Sequence, residues 1–221
     1  MTGGFFYFYS MVLLGKELIF PLVESASPEG ILAFGGDLCP ERLMLAYRSG
    51  IFPWYNEGEP IIWYSPSERM VLFPDELHIS RGMRKVIRNN KFELTWNKDF
   101  EQVIDQCQKS PRKNQLGTWI TNDMKTAYIK LHKLGFAKSV EVWQGKELVG
   151  GLYGIDLGHI FCGESMFSKV SNTSKLAFIH LVKELQKKQY KLIDCQVYNE
   201  HLESLGARKI SREEFVRVLM A

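Results

Sequence analysis

The chain has 221 residues, of which 45% are hydrophobic and 24% are charged. These fractions are ordinary for a water-soluble globular protein, and the length allows one large domain or two small ones. The formal net charge of only +3 permits a nucleic-acid partner without requiring one.

The four cysteines show no Cys-x-x-Cys spacing, and the chain is too large to need disulfide stapling. This usage favours a reducing, cytoplasmic compartment. A cysteine nucleophile or a thiolate metal ligand is the less favoured alternative, because no nearby histidine completes a metal-like pattern. We therefore expect no metal.

The segment 5–14 is almost wholly apolar. It is too short to span a bilayer, which takes about 20 residues. It also lacks a positively charged leader, and Lys16 and Glu17 stand where a signal peptide would have small residues. The pattern predicts a buried first strand, with no membrane association and no secretion.

The first third of the chain is rich in turns and aromatic residues. Residues 21–37 read as a loop, after which Pro40 begins a helix that ends before Gly50. Two aromatic clusters follow at 51–55 and 61–66. A proline-containing turn near residues 65–69 predicts a boundary between a small N-terminal domain, 1–67, and a second domain, 68–221.

The second region alternates helices with strands. Helices are predicted from the caps Ser80, Asn97, Thr121 and Ser211, and a long helix over 172–188. Strands are predicted at 92–96 and 192–197, with a three-stranded meander over 139–143, 147–154 and 159–163. This order predicts an α+β protein whose second domain has a mixed α/β arrangement.

The helix after Ser80 carries a stripe of positive charge. Its cations at i, i+3, i+4 and i+7 share one face over roughly 10 Å: Arg81, Arg84, Lys85 and Arg88. The spacing suits a nucleic-acid backbone, so the stripe is a candidate tRNA-binding or other phosphate-binding surface. The alternative, with equal weight, is the solvated face of an amphipathic helix.

Polar residues interrupt two apolar strands. Glu164 stands in the segment 163–168, and Asp194 and Gln196 share a strand in which alternation would place them on the same face. Such groups are costly in apolar surroundings unless they are paired or line a site. A site and a buried hydrogen-bonded pair are equally compatible with the spacing.

No nucleotide or metal motif is visible. The chain lacks a Gly-x-x-x-x-Gly-Lys-Ser/Thr loop and a strand-borne Gly-x-Gly-x-x-Gly, and its five histidines are scattered. We therefore expect no cofactor.

Seven short segments between about residues 28 and 215 carry a family resemblance when taken in order. They are 30–38, 46–54, 117–121, 148–154, 163–168, 192–196 and 204–207. Each is weak alone, but together they closely resemble the bacterial leucyl/phenylalanyl-tRNA–protein transferases. Tyr64 stands where that family usually has a tryptophan, and Lys138 where it usually has a histidine.

The resemblance implies an acetyltransferase-like (GNAT-like) fold for the second domain. It also implies the reaction: Leu or Phe, possibly Met, passes from aminoacyl-tRNA to the N-terminal α-amine of proteins that begin with Lys or Arg. The product would carry an N-terminal signal for proteolysis under the N-end rule. Because the aminoacyl ester is already activated, the reaction needs no metal and no nucleotide.

The resemblance also assigns roles to single residues. Asp194 and Gln196 correspond to a proposed proton relay. Because an amide is a very poor base, Gln196 more plausibly orients the amine, with Asp194 holding Gln196 or favouring positive charge. This hypothesis predicts only a modest loss in Gln196→Glu at high pH. Glu164 would help recognise the incoming cationic N-terminus.

Two further sets of residues follow from the same resemblance. The candidates for an apolar aminoacyl pocket are Phe161, Met166, Phe178, Leu181 and Ile193. The candidates to stack on the terminal adenosine are Tyr47, Trp54 and Trp119. The alternative for these three aromatic rings is an ordinary core position.

Three other functions compete with this interpretation. An acyl-CoA-dependent N-acetyltransferase would need a glycine-rich pyrophosphate loop, and residues 167–172 have no glycine. A peptidoglycan-type aminoacyl-tRNA transferase would need two tandem domains in a chain that is short for them. A non-catalytic RNA-binding module would leave Glu164, Asp194 and Gln196 without a purpose.

Overall fold

The structure is a computed structural model that describes residues 12–110 and 119–221. Within these ranges the chain forms two β-sheets and seven α-helices, with short 3-10 turns between them. No helix in the described ranges is long and apolar enough to cross a membrane.

The smaller sheet has four strands in the order β1-β2-β4-β3 and contains the aromatic segments. Its strands are β1 Val12–Leu14, β2 Ile31–Gly35, β3 Phe52–Pro53 and β4 Ile62–Tyr64. Strand β1 pairs in parallel with β2, so a first strand exists where one was predicted. Leu14 is buried but Leu13 is 79% exposed, so this strand is only half-buried, and residues 5–11 lie outside the described chain.

The larger sheet has seven strands in the order β11-β5-β10-β9-β8-β7-β6. The strands are β5 Glu68–Leu72, β6 Glu93–Trp96, β7 Ala137–Gln144, β8 Glu147–Asp156, β9 Ile160–Ser168, β10 Leu192–Gln196 and β11 Arg208–Ser211. The predicted meander is β7-β8-β9, which pairs antiparallel, while β10 returns parallel to β9. The mixed α/β arrangement predicted from the sequence is confirmed.

Helices cover both faces of the larger sheet. They are α1 Pro40–Arg48, α2 Arg81–Arg88, α3 Phe100–Lys109, α4 Asn122–Lys133, α5 Thr173–Lys187, α6 Glu200–Glu203 and α7 Arg212–Met220. The predicted caps are confirmed for Ser80, Thr121 and Ser211, whose hydroxyls accept backbone N–H bonds. The cap of α3 is Asp99 and not Asn97, because Asn97 has a left-handed φ of 51°.

Six elements were missed in the sequence, namely β2, β3, β4, β5, α6 and β11. The prediction of a loop over residues 21–37 was wrong for residues 31–35, which form β2 and pair with β1 and β4. Strand β5 begins directly after the predicted boundary, and its residues Met70, Val71 and Leu72 are buried. The two sheets use separate stretches of chain, 12–64 and 68–211. One hydrophobic cluster nevertheless runs through both, from Trp63 to Phe215, so the division into 1–67 and 68–221 remains a prediction.

Candidate active site

A cavity of about 620 Å³ opens where strands β9 and β10 separate. Their parallel pairing ends at Cys162 and Asp194, while β9 continues beside β8 as far as Ser168. Beyond this point the two backbones no longer pair, and residues of both strands line the cavity. The cavity is lined by Phe52, Pro53, Trp54, Trp119, Leu152, Phe161, Gly163, Glu164, Ser165, Met166, Phe178, Leu181, Ile193, Cys195, Gln196, Val197, Tyr198, Asn199 and Leu202.

Each of these two strands has a β-bulge at the edge of the cavity. On β9 the register with β8 shifts at Glu164, and on β10 the register with β5 shifts at Cys195. Gln196, directly after the second bulge, has a left-handed φ of 64°. Bulges redirect side chains at such places.

The second bulge corrects one prediction. Asp194 and Gln196 were expected on the same face of the strand, but Gln196 lines the cavity whereas Asp194 is fully buried and does not. Strict alternation fails because Cys195 is an extra residue in the ladder. Asp194 instead accepts a hydrogen bond from the backbone N–H of Gln196, at 2.8 Å, which holds the bulge. This contact fits the predicted role of Asp194 in holding Gln196.

Glu164 is the centre of a hydrogen-bonded network at the polar end of the cavity. Tyr47 donates to its Oε1 at 2.8 Å, and Tyr128 donates to its Oε2 at 2.9 Å. The side-chain amide of Gln196 also donates to Oε1, at 2.8 Å. The two tyrosine hydroxyls also contact each other. The carboxyl group is thus held on both oxygens by residues from α1, α4 and β10.

The surroundings of Glu164 raise its pKa to about 7. Burial is the largest cause, since it penalises the charged form, and the negative charge of Asp194 adds to it. The hydrogen bonds from Tyr47, Tyr128 and Gln196 act in the opposite direction. Glu164 can therefore exchange a proton near neutral pH, whereas an ordinary glutamate is already ionised there.

The two tyrosines remain donors across the same pH range. Burial and the charge of Glu164 raise the pKa of Tyr47 and of Tyr128 well above that of a free tyrosine. Tyr128 was missed as a site residue, because in the sequence it is simply one of the apolar positions of helix α4. Its hydroxyl finds Glu164 only in the folded chain.

Behind the site, Arg69 neutralises Asp194. Its guanidinium donates to both carboxylate oxygens, at 2.9 and 2.7 Å, and it is itself only 2% exposed. It lies between the rings of Phe52 and Phe215, with its Cζ 4.7 and 4.6 Å from their centroids. Arg69 was missed in the sequence. An arginine directly before the apolar run 70–72 could have indicated a buried charge that needs a partner.

The five residues predicted to form an apolar pocket all line the cavity: Phe161, Met166, Phe178, Leu181 and Ile193. They come from β9, α5 and β10, and Leu152 and Leu202 extend the same apolar surface. The cavity therefore has an apolar end next to the polar end formed by Glu164 and Gln196.

The three aromatic candidates separate into two groups. Trp54 and Trp119 line the cavity. Tyr47 does not, because it is only 1% exposed and its hydroxyl is bonded to Glu164. This position fits the core alternative and does not fit stacking on a base. Residues 117 and 118, from the motif that includes Trp119, lie outside the described chain.

The predicted cationic stripe lies on helix α2. Its four members are all exposed, namely Arg81, Arg84, Lys85 and Arg88. Met83, on the other side of the helix, is buried. In the described part of the chain, no carboxylate lies within ion-pair distance of them. None of the four lines the cavity. The stripe is therefore free to contact a partner and separate from the cavity walls.

Comparison with known proteins agrees with this arrangement. The family profile described as leucyl/phenylalanyl-tRNA protein transferase matches residues 71–220, and the profile of its N-terminal domain matches residues 36–67. A leucyl/phenylalanyl-tRNA–protein transferase of Flavobacterium johnsoniae is 65% identical over 95% of this chain and 99% of its own length. One from Pseudomonas aeruginosa is 54% identical over 90% of this chain and 89% of its own.

Solved structures show a more distant likeness. FemX covers 78% of this chain and 66% of its own, with a TM-score of 0.47 and 12% identity. L-PGS from Bacillus licheniformis covers 76% of this chain and 54% of its own, with a TM-score of 0.41 and 15% identity. Likenesses at this level do not establish a shared fold.

The matches to family profiles and close relatives define the class of protein, which is an aminoacyltransferase. More particularly, the chain belongs to the leucyl/phenylalanyl-tRNA protein transferase family. The resemblance and the enzyme class predicted from the sequence are thereby confirmed.

Proposed function

We propose that the protein transfers Leu or Phe, and possibly Met, from aminoacyl-tRNA to the α-amine of proteins that begin with Lys or Arg. The observation that carries this proposal is the two-ended cavity between β9 and β10. Its apolar end suits the side chain of the donor amino acid, and its polar end suits the reacting amine. The names of the close relatives specify leucyl- or phenylalanyl-tRNA as their donor.

The apolar end of the cavity suits a donor amino acid with a large side chain that is not branched at Cβ. A volume of about 620 Å³ for the whole cavity accommodates Leu or Phe together with part of the terminal nucleoside. Met166 supports acceptance of more than one shape, because a methionine side chain is flexible. Trp54 and Trp119 are the proposed contacts of the terminal adenosine, since both reach the cavity.

The polar end accounts for the acceptor. Ionised Glu164 attracts the cationic N-terminus, and with a pKa near 7 it can also take the proton that the amine must lose. The amide nitrogen of Gln196 is occupied by Glu164, which leaves its side-chain oxygen to accept a hydrogen bond from the amine and so orient it. Neither role needs Gln196 to act as a base.

The reaction is an aminolysis of the aminoacyl ester and needs no reactant besides the amine and the ester. The neutral amine attacks the ester carbonyl carbon, the new C–N bond forms, and the bond to the 3′-oxygen of the terminal ribose breaks. The amine loses one proton and the departing 3′-oxygen gains one. Since a free α-amine has a pKa near 8, a sizeable neutral fraction is present at neutral pH, and the main task of the site is positioning.

The exposed cations of α2 bind the phosphate backbone of the tRNA. The chain comprises a small N-terminal domain, 1–67, and an acetyltransferase-like domain, 68–221. The enzyme acts in the cytoplasm without a metal, a cofactor or a membrane, and its products carry an N-terminal degradation signal.

The test is a transfer assay with radiolabelled Leu on its tRNA and two peptides that differ only in their first residue, Arg or Ala. Transfer to the Arg peptide alone is the expected result. Equal transfer to both would contradict the specificity for basic N-termini, and transfer to neither would contradict the proposed reaction. Valyl-tRNA in place of leucyl-tRNA tests the donor pocket, with a lower rate expected for the β-branched side chain.

A further inference from the structure

Strand β9 connects the two ends of the cavity. Phe161 lines the apolar end, Glu164 belongs to the polar end, and Gly163 stands between them, also on the cavity wall. A donor whose side chain lies against Phe161 and whose ester carbonyl lies near Glu164 must therefore pass directly over Gly163. The position with no side chain is the one that the reacting group has to cross.

The fold itself does not require a glycine at this position. Gly163 has no left-handed φ, and a Cβ added to it would meet only the carbonyl oxygen of Asp194, at an ordinary contact distance of 3.5 Å. Gly154, paired with Gly163 across the ladder, differs sharply. A Cβ there would lie 2.2 Å from the carbonyl oxygen of Cys162 and 2.5 Å from the ring of Phe161.

A glycine in a strand weakens it, because the unfolded chain has more conformational freedom to lose and no side chain packs. Alanine at 163 would be expected to leave stability unchanged or to raise it. The absence of a side chain at this point of the cavity wall therefore points to a ligand that approaches the backbone closely.

We propose that Gly163 is a positioning residue for the donor: its bare backbone leaves the space through which the aminoacyl group reaches Glu164. The inference rests on the proposed function, because it takes the aminoacyl ester as the occupant. A methyl group at this position would project into the cavity and displace the ester carbonyl from the amine.

The test is Gly163→Ala, with Gly15→Ala as the matched control. Gly15 also lacks a left-handed φ, has no atom within 4 Å of the added Cβ, and does not line the cavity. We expect kcat/KM for leucyl-tRNA to fall by at least about tenfold in Gly163→Ala, because the added methyl group displaces the ester carbonyl from its position beside the amine, and to stay at the wild-type value in Gly15→Ala. The Tm of both variants should equal or exceed that of the wild type.

A binding measurement separates a blocked site from a slow chemical step. The probe is 3′-leucylamino-3′-deoxyadenosine, a stable amide analogue of the charged tRNA end, titrated into each folded protein. We expect Gly163→Ala to bind it at least about tenfold more weakly than Gly15→Ala does.

Two outcomes would overturn the inference. One is wild-type transfer and analogue binding by folded Gly163→Ala. The other is a clearly lowered Tm, because the fold and not the ligand would then require the glycine. The wild-type protein in the same assay distinguishes failure of the proposed function from failure of this inference. If the wild type does not transfer Leu, the proposed function fails. If the wild type and Gly163→Ala transfer Leu equally well, only the role of Gly163 is rejected.

Discussion

The guanidinium of Arg69 binds both carboxylate oxygens of Asp194, at 2.9 and 2.7 Å, in a position that water does not reach. The same carboxylate accepts the backbone N–H of Gln196. The buried pair therefore supports the bulge that turns Gln196 toward the cavity, and it does so from behind the site.

Replacing Arg69 by Met should destabilise the protein by about 3–5 kcal/mol, because it leaves the carboxylate of Asp194 buried without a counter-charge. Urea unfolding of the variant and the wild type measures the difference. Arg208→Met is the matched control, since Arg208 also binds a carboxylate with two nitrogens and lies over a ring, but at the surface. We expect it to cost less than about 1 kcal/mol, and equal losses would contradict the argument.

The rate of transfer should rise with pH through about 7 as Glu164 ionises. In Tyr128→Phe, Glu164 loses one hydrogen bond that stabilises its charged form, so the pKa of Glu164 rises. The rising part of the pH–rate profile should therefore move to higher pH. The measurement is kcat/KM as a function of pH between 5.5 and 8.5, a range that brackets the pKa of about 7. Tyr190→Phe is the control, because Tyr190 donates to Asp156 and does not line the cavity, and its profile should match the wild type.

Stability should depend on pH through the same carboxyl group. Folding raises the pKa of Glu164 from an ordinary 4.5 to about 7, so between these values the folded state binds more protons than the unfolded state. The free energy of unfolding therefore falls as pH rises from about 4.5 to about 7, by an amount on the order of 3 kcal/mol. Glu164→Gln should flatten this slope in denaturant titrations at pH 5 and pH 8. An unchanged slope would contradict the raised pKa.

The contact between Glu164 and Gln196 changes what we expect of Gln196→Glu. The sequence predicted a modest loss at high pH, but the substitution replaces a donor with a second carboxyl group at hydrogen-bond distance. Two such groups share one proton and repel when both are ionised. The variant should therefore lose more activity as pH rises, and kcat/KM at pH 6 and pH 8.5 tests this. Smaller losses at pH 8.5 would favour the earlier expectation.

The stripe on α2 can be tested through salt. If its cations bind phosphates, Arg84→Ala and Arg88→Ala should each lower the slope of log Kd for tRNA against log salt by about 1. Filter binding at several salt concentrations measures it. Lys146→Ala, in the exposed turn between β7 and β8, removes the same charge elsewhere and should leave the slope unchanged. Equal slopes in all variants would identify the stripe as a solvated face.

The sequence predicted the meander, the long helix and most helix caps because these depend on periodicity and on local hydrogen bonds. The strand β5 was missed for the opposite reason. Its short run 68–72 has no alternation, since it is buried between β10 and β11. The five residues that the family resemblance assigned to an apolar pocket all line the cavity, which gathers them from three separate elements. Their contact with the aminoacyl group stays a prediction.

The sequence by itself determined the family, the mixed α/β arrangement and the types of side chain available to the site. These are properties of local pattern and of motif order. Only the tertiary structure decided which of those side chains meet. The bulges at Glu164 and Cys195 break the alternation that strand patterns assume. Glu164 is hydrogen-bonded to Tyr47 and Tyr128, which come from helices distant in the chain. Contacts between residues so far apart leave no periodic pattern in a sequence.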